Sequence, residues 1–149
     1  MNRKYVLTKL TNLAKLICTL QMSKVILIRN VRVVGMHHHV LTKRLQLGMR
    51  YQMMWEPDCI HDPGNAVGIK NAKKQTNAYI TREDAAIISR LFCAGVVLNN
   101  TMYCKTHVQP HVEYHDLGPQ QECNVQFKVD VKDLELATHI IASLSFSVC

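Results

Sequence analysis

The chain has 149 residues, 48% apolar and 19% charged, with 18 Lys+Arg against 11 Asp+Glu and a formal charge of +7. This is one domain's length in ordinary globular composition, which excludes a disordered chain, a motor and a large two-domain enzyme. Residues 1–55 carry ten Lys/Arg and no acid, residues 56–105 six bases and five acids, and residues 106–149 two bases and six acids; a basic half joined to an acidic tail points to a polyanion, nucleic acid or an anionic membrane surface.

Residues 1–22 place Leu7, Leu10, Leu13, Ala14, Ile17 and Leu20 at helical spacing. They read as an amphipathic extension packed on the domain or on a partner. The acid-free composition also fits an organelle-targeting peptide or a surface-lying helix. The domain itself is assigned to residues 23–149. Residues 25–34 read as one or two strands broken at Arg29-Asn30 and ended by Gly35, and residues 45–55 as a longer strand. A dense turn cluster covers residues 56–65, followed by strands at 66–69 and 78–80. The best-defined element is a helix over residues 82–93, with Thr81 as N-cap, Glu83 and Asp84 in the first turn, and Gly95 beyond the last. Residues 96–98 begin a strand continued through 102–106, residues 110–119 read as loop, and residues 124–131 as a strand. A C-terminal helix is expected over 134–144. Short strands with two helices define a small α+β domain on a sheet or barrel.

Several of the six cysteines, such as Cys18 and Cys93, sit within apolar runs and no secretory signal precedes them, so reduced thiols and an intracellular chain are expected. No apolar run is long enough for a transmembrane helix. Two clusters have metal-ligand chemistry. In an extended segment His37 and His39 share one side and His38 takes the other, so at most two could meet one ion. Cys104, His107, His111, His115 and Cys123 have spacings that zinc could use, but paired C-x₂-C knuckles are missing and no metal or other cofactor is assigned. Enzyme signatures are absent too. No Gly-rich phosphate loop occurs, and Cys59 with His61 lacks an orienting third group.

Four motifs in order then carry a resemblance: Val33-Val34-Gly35, Trp55-Glu56-Pro57-Asp58, His61-Asp62-Pro63-Gly64-Asn65-Ala66-Val67, and Ala78-Tyr79-Ile80-Thr81-Arg82-Glu83 opening a helix. Over residues 31–131 the chain resembles the HIRAN domain family. The resemblance implies an OB-like β-barrel of about six strands, with a central helix near 82–93 and a C-terminal helix. It also implies a non-enzymatic module that grips single-stranded DNA at a free 3′ end, in repair or replication-fork processing. The associated motor would be a helicase or chromatin-remodelling protein, and the location nuclear in a eukaryote. Carried over, the binding residues are His37, His38 and His39 where the family has a base and two aromatics, His61 and Asp62 where it has Tyr-Asp, and Tyr79 and Arg82 beside the helix start. Asp62 would accept from the terminal hydroxyl, and Arg82 would meet phosphate with the helix N-terminus. The alternative is a HIRAN-like scaffold domain whose DNA pocket has decayed.

Overall fold

The computed structural model describes residues 3, 4, 6, 9–13, 22–40, 44–106, 112–115 and 118–149. Among these, eight strands form one antiparallel sheet: β1 (Ser23–Val34), β2 (Arg50–Trp55), β3 (Val67–Lys70), β4 (Thr76–Ile80), β5 (Tyr103–Thr106), β6 (Val112–His115), β7 (Gly118–Asp130) and β8 (Phe146–Val148). The pairing order β7-β5-β2-β3-β4-β1 returns to β7, so six strands close into a barrel. β6 extends the first half of β7, and β8 runs along β1. Three helices lie between strands: the single turn α1 (Met36–His39), α2 (Arg82–Cys93) and α3 (Leu134–Ile140), the last preceded by a 3-10 turn at Val131–Asp133. The six-strand barrel and the helix at 82–93 are those expected from the sequence.

Alternation along the strands builds one core. β1 points Ile26, Ile28, Val31 and Val33 inward, and β7 opposes them with Phe127, Val125 and Cys123. The inward spacing changes from two to three at Arg29-Asn30, where the register with β7 slips and Asn30 takes a φ of 59°. This is a β-bulge, so the break seen in the sequence is an extra residue within one long strand. Helix α2 covers the core with Ala85, Ile88, Ser89 and Leu91, and Asp84 ties it to β1 by accepting from the Arg32 N–H at 3.1 Å. Thr81 stands at the N-cap without a side-chain hydrogen bond, whereas Gly95 ends the helix at a φ of 69° as expected.

Four elements depart from expectation. The strand over 45–55 begins only at Arg50. The Leu45 N–H and C=O are both held by the buried Gln121 amide, at 2.8 and 3.2 Å. Gln46 is likewise held by Tyr51 and Thr106, and Gly48 turns the chain at a φ of 66°. These polar groups satisfy the backbone without a ladder. The strand through 96–106 is interrupted in the same way: Val97 makes an isolated bridge to Val129, Asn100 takes a φ of 58°, and β5 starts at Tyr103. Residues 112–115 and 118–119 are strand rather than loop, β7 thus begins at Gly118 rather than at 124, and the C-terminal helix stops at Ile140 before β8.

At the N-terminus, residues 9–13 are helical with Leu10 and Leu13 more than half exposed, so these two leucines are not packed on the domain. The remaining apolar positions singled out there, Leu7, Ala14, Ile17 and Leu20, lie outside the described residues. No helix among the described residues is long and apolar enough to cross a membrane.

Candidate nucleic-acid interface

The turn cluster after β2 forms a braced loop on the barrel's outer wall. Glu56 N–H donates to the Ala66 carbonyl at 2.8 Å, Gly64 N–H to Pro57 at 2.8 Å, and Asn65 and Ala66 N–H groups to Asp62, both at 3.2 Å. Trp55 is half-buried against the core, and its indole N–H closes the loop by donating to Gly64 at 2.8 Å. Gly64, at a φ of 81°, occupies the left-handed region that the turn demands. The Asp58 and Asp62 region is thus turn structure, with the Asp62 carbonyl serving two N–H groups.

The start of α2 faces this loop. The Arg82 guanidinium donates to the His61 carbonyl at 3.0 Å, which joins helix and loop directly. Between them opens a cleft of about 210 Å³ lined by Val34, Cys59, His61, Asp62, Ala66, Tyr79, Ile80 and Arg82. The structure therefore brings His61, Asp62, Tyr79 and Arg82 together, as the sequence motifs imply. Among the described residues Val34 is the sole contributor from residues 1–55, and none of their described cations lines this cleft.

The three histidines are placed differently. Gly35 takes a φ of 83°, and residues 36–39 coil into α1 instead of extending, so the alternation expected for His37 to His39 does not apply. Met36 is the buried residue of this turn and pins it to the core. His38 and His39 are exposed and border a separate polar cleft with Asn71, Gln75, Thr76 and Asn77. The His39 ring lies 6.0 Å from the Tyr79 ring, tilted by 59°, which makes Tyr79 the partition between the two clefts. The side chain of His37 lies outside the described residues.

Sequence motifs missed the support behind Tyr79. Glu56 pairs with Lys70, and Lys70 also donates to Thr76. Gly68 sits directly across the ladder from Tyr79. A Cβ at Gly68 would come within 3.1 Å of Glu56 Oε1, so glycine there makes room for this carboxylate. Burial first, and then a hydrogen bond to Glu56 with its negative charge, push the Tyr79 phenol up to about 12. The signal available in the sequence was Glu56 closing a strand two residues from Asp58; its partner Lys70 lies fourteen residues away.

The raised Tyr79 value has a sign that can be measured. A folded-state pKa above the ordinary 10.0 means that the folded chain holds this proton more tightly than the unfolded one. The stabilisation is complete below pH 10 and is lost as pH rises through about 12. Ultraviolet titration of tyrosinate should show a late-titrating phenol that vanishes in Tyr79→Phe and moves to lower pH in Glu56→Gln. A wild-type and a Tyr79→Phe curve of identical shape above pH 10 would contradict this placement.

The second histidine–cysteine cluster is only partly described. Cys104 and Cys123 are fully buried on neighbouring strands β5 and β7. A thiol–thiol hydrogen bond with Cys104, together with burial, raises Cys123 well above the ordinary thiol range. His107 and His111 lie outside the described residues, as does the side chain of His115. Among the described residues no three His, Cys, Asp or Glu groups converge as a metal site.

The sequence matches no protein-family model and no curated protein. The fold does have solved counterparts. The HIRAN domain of human HLTF superposes with a TM-score of 0.63 at 10% identity, over 81% of this chain and 92% of that one. A protein from Lactobacillus plantarum, solved by a structural genomics consortium, superposes with a TM-score of 0.53 at 17% identity, over 72% of this chain and 98% of that one. With the six-strand closure, the braced loop and the helix that opens beside it, these likenesses establish the architecture: the chain has a HIRAN-like fold.

Proposed function

We propose that this chain is a non-catalytic nucleic-acid-binding module whose cleft receives an end of single-stranded DNA, serving repair or replication-fork processing beside a helicase or remodelling partner. The observation that carries this reading is the convergence of Asp62, Tyr79 and Arg82 in one cleft at the start of α2. Each supplies a different part of end recognition. The Arg82 guanidinium has donors beyond the one given to His61 and can fork onto a phosphate. The first-turn N–H groups of α2 add positive potential there. Tyr79 presents a ring for a base, and the Asp62 carboxylate accepts from a terminal hydroxyl. The volume, about 210 Å³, suits a terminal sugar and part of a base better than a whole folded partner.

Fluorescence anisotropy with single-stranded DNA bearing a free or a phosphate-blocked 3′-hydroxyl, at two salt concentrations, tests this directly. Tighter binding of the free end, with the preference abolished in Asp62→Ala, is the expected result. Equal affinity for both ends would remove end recognition while leaving general binding in place.

The exposed Leu10 and Leu13 favour a second reading, in which the module is a scaffold and its N-terminal helical residues dock on a protein partner. Absence of DNA binding, combined with loss of partner capture in Leu10→Ser/Leu13→Ser, would select it.

A further inference from the structure

A second cationic surface lies across the barrel from the cleft. In the ring β7-β5-β2-β3-β4-β1, β4 is three strands from β5 in either direction, and β3 is three strands from β7. β4 supplies Tyr79 and Ile80 to the cleft, so the outer face of β5 looks away from that wall. The register fixes what they present. Arg50 stands opposite Lys105 and Gln52 opposite Tyr103, Tyr103 stands opposite Gln126, and Lys128 opposite Val25. Their alternate neighbours Tyr51, Cys104, Val125, Phe127 and Val129 are buried, so this set points outward.

Three features give the face a ligand chemistry. Arg50, Lys105 and Lys128 are exposed and have no carboxylate partner among the described residues. Glu122 and Asp130 share the outer side of β7 but have other neighbours: Glu122 stands opposite Arg32, and the Asp130 side chain accepts from the Lys132 N–H. Arg50 and Lys105 are like charges directly across a ladder, an arrangement that costs stability in the free protein and is relieved by an anion. The Arg50 guanidinium also lies 3.6 Å from the Tyr103 ring centroid, stacked on the phenol and open on its outer side. Between Arg50, Tyr103 and Lys128 runs a groove of about 230 Å³ edged by Asn100, Thr101 and Gln126.

We infer that this outer face binds an internal segment of single-stranded nucleic acid, with backbone phosphates on Arg50, Lys105 and Lys128 and a base stacked on the Arg50–Tyr103 pair. The amide and hydroxyl edges of the groove suit base edges. No strand end is needed, so the face acts independently of the cleft. One chain can then hold an end on one wall and a second segment on the opposite wall.

Circular single-stranded DNA, which has no ends, isolates this face. The full chain should bind it, and Arg50→Ala/Lys105→Ala/Lys128→Ala should weaken binding at least tenfold and reduce the log–log salt slope by about 2, roughly 0.7 for each phosphate contact removed. Tyr103→Leu should weaken binding about tenfold with an unchanged slope. These side chains are exposed or half-exposed, so native melting is expected, and the single cation variants give the same readout if the triple variant melts early. A parent chain that ignores the circle, or a triple variant that binds it undiminished, overturns the inference. Loss of binding only to phosphatidylserine vesicles would overturn it too and assign the face to membranes. Failure of the cleft reading shows separately, as equal affinity for free and blocked linear ends.

Discussion

Phe127→Ala should lower the stability of the folded chain by about 4 kcal/mol. Phe127 is among the largest fully buried side chains and sits in the middle of β7, the strand that pairs with β1 on one side and with β5 on the other. Its ladder partner Ile26 is itself fully buried. Truncation leaves a cavity that a closed ring cannot collapse without shifting hydrogen bonds on both flanks, so most of the void persists. At this chain length the melting temperature should fall by roughly 8–16 °C. Phe127→Leu, which retains most of the volume, should cost under about 1.5 kcal/mol. Urea unfolding of the two variants measures the difference. An Ala variant within 1 kcal/mol of the parent, on the order of a surface substitution, would mean that the barrel is not closed as described.

Arg82→Ala carries the largest expected effect on binding. Its guanidinium holds the His61 carbonyl at 3.0 Å and edges the cleft, so alanine removes a phosphate contact and a brace on the loop that carries Asp62. Affinity for linear single-stranded DNA should fall about tenfold, with the salt slope reduced by about 0.7. Arg82→Lys keeps the charge and loses the planar fork, so it should retain the slope while losing part of the affinity. An Arg82→Ala protein with parental slope would show that no phosphate sits there.

The legible parts of this chain are those encoded within a short stretch. Helix α2 was readable because its cap region, first-turn acids, apolar face and terminal glycine all lie within residues 81–95. The cleft was readable because Asp62, Tyr79 and Arg82 belong to motifs met in order, although His38 and His39 fall on the far side of Tyr79. What was illegible depends on distant partners. Residues 45–49 have the alternation of a strand, yet the Gln121 amide, 76 positions along the chain, takes both backbone groups of Leu45. The short run Phe146–Val148 carries too little pattern to announce a strand, and it becomes one because β1 offers a free edge beside Ile26 to Ile28.

Charge shows the same division. The sequence by itself determined a net excess of seven cations and an acid-free first third. Linear position did not determine where those cations act. Of the described acid-free residues, Val34 alone reaches the cleft wall. Arg50, Lys105 and Lys128, drawn from three stretches of different charge balance, meet on one outer face. Barrel closure is the physical reason: it sets β2 against β5 and β5 against β7, and side-chain alternation then decides which cations share a wall.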